Sequence, residues 1–200
     1  MQKSLYLSRI TKKLLIMEKK VSVWQATLNS GLILGLALVI YTLLLYFLDQ
    51  TFNQKLGYVS ILIIIIGLVL GIKSFRDDAR GGIMSYGQGV GAGTIIGLYA
   101  GIIGAIFTFL LYEVIDTDLM GKLLTFTEEK IIEDGRVSEE MIDQTMEIQK
   151  KFMAPWIMSI GSIISSVFFG VVISLIASIF LKKEGNPFQQ EATEPAEKAE

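Results

Sequence analysis

The sequence predicts an all-α integral membrane protein, a bundle of four transmembrane helices built as two hairpins, with both chain ends on the cytoplasmic side. Three observations predict it. The 200-residue chain is 52% hydrophobic with a mean hydropathy of +0.53, and only 19% of it is charged, below the roughly 25% of a soluble domain. Its apolar residues fall into four uncharged blocks, Val21–Leu48, Leu56–Ile72, Gly81–Tyr112 and Phe152–Leu181. Each block reaches the roughly 17–20 residues that carry a helix across a bilayer core, where backbone polar groups must be satisfied within the segment. Finally, lysine and arginine alternate in density from one connection to the next, as the positive-inside rule requires.

Residues 1–20 form a basic N-terminal segment, with Lys3, Arg9, Lys12, Lys13, Lys19 and Lys20 against Glu18. Leu7, Ile10, Leu14 and Met17 recur at helical spacing. Two readings stand side by side here, an amphipathic helix on anionic lipid and a start of translation at Met17. The first uncharged run has 28 residues, too long for the apolar core of a cleavable signal peptide.

The transmembrane domain occupies residues 21–183. Its first span covers about 24–48, with Trp24 and Tyr46 at the two interfaces where aromatic belts form. The short connection Asp49–Lys55 makes the first hairpin. The second span, about 56–72, is isoleucine-rich and suits a lipid-facing element. The turn Lys73–Arg80 follows, and the third span covers about 89–112. The loop 113–151 carries 11 acidic and 5 basic residues. Within it Ser138 is a candidate N-cap, and residues 139–151 read as an amphipathic helix with Met141, Thr145, Ile148 and Phe152 on one face and Ile142 and Met146 alongside. Pro155 marks the start of the fourth span, about 154–181. Residues 184–200 have the composition of a disordered cytoplasmic tail.

Basic residues fix the expected topology. The N-terminal segment, the turn with Lys73, Arg76 and Arg80, and the pair Lys182–Lys183 lie on one side. The first loop, with Lys55 alone, and the acidic loop lie on the other. Both termini are therefore expected inside.

Two features of the third span bear on packing. Gly89, Gly93, Gly97 and Gly101 recur every four residues and Gly104 continues the face, while Gly87 and Gly91 form a shorter row. Small residues at this spacing let helix backbones approach closely. Gly31 and Gly35 are a partial counterpart on the first span. The face suits packing within the bundle against the first or fourth span, or a homodimer interface, or a narrow path. Second, Gly31–Tyr46 matches Gly97–Tyr112 at eight of sixteen positions, including Thr42/Thr108 and Tyr46/Tyr112. A duplicated hairpin and convergence among apolar helices both account for this echo.

The sequence offers little chemistry. It has no cysteine and no histidine, so disulfides, thiolate catalysis, zinc–thiolate sites and histidine bases are excluded. No acidic or basic residue falls inside a predicted span, whereas coupled transporters and intramembrane enzymes depend on such residues. The run GQGVGAG has no Walker lysine and no preceding strand, so it is not a phosphate cradle. Arg76 and Arg80 suit a topology anchor, with a lipid-phosphate clasp as the alternative. Gln88 and Tyr86, with Gln25 and Asn29 at similar depth, are candidates for pairing across the bundle. Glu128, Glu129, Glu133 and Asp134 lack the spacing of a calcium loop and read as a solvated face. No cofactor, metal, catalytic residue or nucleic-acid contact is expected. The expected partners are the lipid bilayer and either a second copy or another membrane protein.

The connector GIKSFRDDARGGIMSYGQGVGAG, the exit LLYEVIDTDL, the acidic loop and the closing Lys-Lys together resemble the bacterial family called domain of unknown function 4199. The resemblance rests on Gly71, Lys73, Phe75, Arg76, Asp77, Gly81 and Gly82, followed by Tyr86, Gly87 and Gln88, and covers about residues 20–183. It departs at Thr117, where the family tends to have proline. The resemblance implies a small four-helix membrane protein and supplies no activity. From the residues themselves, a non-enzymatic helix-packing or oligomerising module, or an accessory subunit, is expected. A small transporter or channel subunit is the alternative.

Overall fold

A computed structural model describes residues 22–136 and 138–183. The N-terminal segment and the tail from residue 184 lie outside the described residues. The element order is α1 (Val23–Phe47), α2 (Gln54–Ser74), a π-helical turn (Phe75–Ala79), α3 (Tyr86–Leu110), a second π-helical turn (Leu111–Ile115), α4 (Leu119–Asp134), α5 (Glu139–Phe152) and α6 (Pro155–Leu181). The helices α1, α2, α3 and α6 are long and apolar enough to cross a membrane. The four-span all-α bundle read from the sequence is therefore the observed fold, and the chain is a multi-pass membrane protein.

Three boundaries differ from expectation, each for a local reason. The second span is longer than residues 56–72. Asn53 caps its start by accepting from the Lys55 N–H at 3.0 Å, and the helix runs on through Ser74 into the π turn. The third span starts at Tyr86 rather than Gly89, because Ser85 and Gln88 form a reciprocal capping box. The acidic loop holds two helices rather than one. The unforeseen α4 ends at Gly135, whose φ of 64° is the left-handed C-cap conformation. Ser138 stands at the N-cap of α5 but makes no side-chain capping bond.

The central element is α3, with 33% of its most apolar stretch buried against 17% for α2. It packs most closely on α6 and next on α1. The half of the bundle near the 75–85 turn is filled by Leu68, Ile72, Phe75, Met84 and Ile96, all at most 1% exposed. The rest of each span presents apolar side chains outward, such as Ile33, Ile66, Ile106 and Phe180, as a lipid-solvated bundle requires. We call this end the turn face and the end carrying α4 and α5 the distal face.

Candidate functional site

Three features hold the polar and small residues of this molecule: the seam between α3 and α6, the turn that joins α2 to α3, and a cavity toward the distal face.

The seam is built from two stripes of small residues. On α3 it is the glycine face; on α6 it is Ser162, Ser166, Gly170, Ser174 and Ser178, again at a spacing of four. A Cβ placed on Gly97 would lie 2.6 Å from the Ser166 carbonyl oxygen, and one on Gly101 2.9 Å from Ser166 Cβ. One on Gly104 would lie 3.2 Å from Ser162 Oγ. Gly93 faces Ser174 and Gly89 faces Ser178. The face is thus covered by α6 of the same chain. The Ser174 hydroxyl donates across the seam to the Val90 carbonyl at 3.3 Å as well as to Val171 at 2.9 Å. Gly31 and Gly35 form a second seam: Cβ atoms there would meet Tyr99 Cβ at 2.5 Å and Ile103 Cδ1 at 2.7 Å. Gly87 and Gly91 have open space beside them.

Tyrosines tie the spans together at their ends. Tyr86 donates to Leu175 O at 3.2 Å, Tyr99 to Trp24 O at 3.3 Å, and Tyr41 to Leu56 O at 2.8 Å. Tyr46 donates to Asp116 Oδ2 at 3.1 Å. Gln88 is consumed by its cap, its Oε1 accepting from Ser85 N–H at 3.1 Å, while Gln25 and Asn29 are exposed. The expected amide pairing across the bundle does not form, because capping uses Gln88 locally and the other two face outward.

In the turn, Arg76 is held on both sides. It grips Asp77 through two bonds, Nε to Oδ1 at 2.7 Å and Nη2 to Oδ2 at 3.1 Å, and its Nη1 reaches the Leu181 carbonyl at 3.3 Å. Met84 and Lys183 exchange two backbone hydrogen bonds of 2.9 Å. The turn is therefore docked on the C-terminal end of α6, and Arg76 satisfies one of the carbonyls a helix end leaves open. Arg80 points elsewhere: its guanidinium carbon lies 5.3 Å from the Phe75 ring centroid. Its Nε is buried with no hydrogen-bond partner among the described residues. Lys73 and Asp77 are exposed. Gly81 and Gly82 reverse the chain at φ of 62° and 86°, a region that costs other residues about 1–2 kcal/mol. The two arginines do not converge on one point.

The third feature was not foreseen. A cavity of about 350 Å³ lies among α1, α2, α3 and α6 in the distal half. It runs from Thr51 in the first loop to Ala100 and Ser166 near mid-span. Thr42 and Thr108, equivalent positions of the sequence echo, both line it. The signal was present as hydroxyl residues in each span, but only the packing shows that they share one space.

At the distal face Asp116 accepts from the Tyr46 hydroxyl and from the backbone N–H groups of Asp118 and Leu119, and Lys122 stands 3.6 Å away. Desolvation works against its charge. The Tyr46 hydrogen bond, Lys122 and the two backbone donors outweigh that and hold its carboxyl below the ordinary value. Phe52 of the first loop stacks on Phe126 of α4, with centroids 5.4 Å apart. The acids of α4 and its C-terminal end are partly neutralised by Lys130 on Glu133 and Arg136 on Asp134. Among the described residues no cluster of three or more acids is placed to hold a metal ion.

No curated protein and no solved structure matches the chain. A family profile does, over residues 29–183, under the description "Protein of unknown function (DUF4199)". This covers the first span from Asn29 onward, the other three spans, both turns and the α4–α5 hairpin, and it agrees with the resemblance carried by the Lys73–Gln88 connector. The chain belongs to the DUF4199 family of proteins of unknown function.

Proposed function

We propose that this protein is a non-catalytic, multi-pass module of the bacterial inner membrane, with both ends in the cytoplasm, that acts as an accessory subunit of another membrane assembly. The observation that carries this reading is the closure of the bundle on itself. The glycine face of α3 is spent on α6, and the turn half is filled by Leu68, Ile72, Phe75, Met84 and Ile96. A span-to-span path has no room there. The row that retains open space for a neighbouring helix is Gly87–Gly91, next to the docked turn. The homodimer reading, in which the longer glycine face meets a second copy, accordingly gives way to a partner helix seated on the shorter row.

The test compares the parent chain with one leucine substitution by the size of the detergent-extracted complex. Gly91→Leu is expected to shrink the complex while leaving the chain folded. An unchanged complex in the Gly91→Leu variant would sink the reading. A small transporter subunit is the second reading, favoured by the distal cavity. Solute flux into proteoliposomes that Thr108→Val reduces would support it over the first.

A further inference from the structure

We propose that the distal cavity is a blind binding pocket for a small uncharged polyol. The pocket has a floor and a distal end. Its floor lies at mid-span, where α3 and α6 meet through Gly97 and Gly170, with Ile96 fully buried just beyond. Its lining reaches the distal face at Thr51, beside the Phe52–Phe126 stack that brings α4 over the first loop. A solute entering from the distal face has no exit toward the turn face.

Its chemistry is unusual for a membrane interior. Every polar side chain lining it is a hydroxyl, and none of its lining residues is charged. Thr42 donates its proton to the Leu38 carbonyl at 2.9 Å and keeps its acceptor capacity. The side-chain hydroxyls of Ser60, Thr108, Tyr112, Ser162 and Ser166 line the space and have no hydrogen-bond partner among the described residues. A hydroxyl taken from water without a partner costs about 1–3 kcal/mol in proteins, so five of them in one apolar bundle call for an occupant with matching groups. Hydroxyls both donate and accept, and they match best a ligand that does the same at several points. The walls between them are apolar, from Leu38, Phe107 and Met158. They suit the carbon skeleton of a polyol, and the lining has no charge to compensate an ion. The volume of about 350 Å³ stands near the lower end of ligand sites, which run from about 300 to 1,000 Å³. This limits the occupant to a small molecule. Water alone would also satisfy the hydroxyls, and the experiment below separates the two.

The absence of native cysteine makes the test direct. Single variants Ser162→Cys and Thr108→Cys in the full chain, reconstituted in vesicles, are treated with a membrane-impermeant methanethiosulfonate from the side carrying α4 and α5. Gln144→Cys, exposed on α5 at the distal face and outside the cavity lining, is the control. Both pocket thiols are expected to react from that side, and xylitol at ten times its Kd is expected to slow them about tenfold. Equal concentrations of glutamate or choline are expected to have no effect, and xylitol is expected not to slow the control. Adding Thr108→Val to Ser162→Cys should weaken xylitol protection, measured against the unprotected rate of the same double variant. Reaction that xylitol does not slow would reduce the pocket to a hydrated cavity and overturn the proposal. So would equal protection by the charged solutes, or pocket thiols that do not react at all. Because the readout is thiol protection, its failure is distinct from a change, or none, in the size of the Gly91→Leu complex.

Discussion

Gly97 of α3 and Gly170 of α6 meet backbone to backbone: a Cβ added to Gly170 would lie 3.3 Å from Gly97 Cα and 2.9 Å from the Gly93 carbonyl oxygen. At this crossing the two helices have no side chain between them. Apolar burial drives little association within lipid, so close van der Waals contact of this kind carries much of the attraction between spans.

Gly97→Ala should therefore destabilise the bundle. Its new methyl meets the Ser166 backbone oxygen at 2.6 Å, and backbone cannot rotate away as a side chain can. An overpacking penalty of about 1–3 kcal/mol is expected, read as a lowered midpoint of thermal unfolding in detergent. Gly91→Ala, with nothing within 4 Å, should be neutral or raise the midpoint, since alanine is favoured over glycine in a helix interior by about 0.5–1 kcal/mol. Equal losses in both variants would refute the seam as described.

Arg76→Lys should not replace Arg76. A lysine cannot grip Asp77 with two parallel bonds while also reaching the Leu181 carbonyl. Either Arg76→Lys or Arg76→Ala should loosen the docking of the turn on α6. Faster hydrogen exchange at the Met84 and Lys183 amides, which pair at 2.9 Å, is the measurement. Exchange that stays as slow as in the parent chain would assign the docking to the backbone bridge alone.

Gly82→Ala should strain the same turn. A φ of 86° is disfavoured for alanine by about 1–2 kcal/mol, although open space surrounds the position. The fault is conformational, so open space does not relieve it, and asparagine, which tolerates the left-handed region, should lose less than alanine. A larger loss with valine is expected from β-branching, and a Gly82→Ala variant as stable as the parent would contradict the turn geometry.

The Tyr46–Asp116 bond should make stability depend on pH in the acid range. The folded-state pKa of Asp116 is held below its ordinary value, so its contribution is present above the unfolded pKa of about 3.9. It is lost as pH falls through the lower, folded-state value. The unfolding midpoint of the parent should exceed that of Asp116→Asn at neutral pH, and the gap should close on acidification. Tyr46→Phe should narrow the gap at neutral pH, because the tyrosine hydroxyl is one of the groups that favour the charge. A gap that widens toward low pH would reverse the assigned sign.

Much of this molecule was legible in its residues. Uncharged runs such as Val21–Leu48 mark the spans because lipid leaves the backbone no other partner, and the Lys73–Gln88 connector carries the family. The glycine face was legible as a surface, and so in principle was the serine stripe of α6 at the same spacing. What the residues did not reveal was the pairing of those two stripes, since a small-residue face accepts any helix that offers another. Helix α4 escaped notice because its acidic residues resemble a solvated loop. Its left-handed stop at Gly135 has meaning only once the helix is formed.

Composition and periodicity by themselves determined the four spans, their order and the lack of thiol or imidazole chemistry, because these depend on each segment's exchange with lipid. Tertiary structure alone decided that α6 covers the glycines, that Arg76 is bound to the end of α6, and that Thr42, Thr108, Tyr112 and Ser162 face one cavity. Those outcomes depend on how helices rotate about their own axes. That rotation follows from the fit of all four surfaces together, which no single segment encodes.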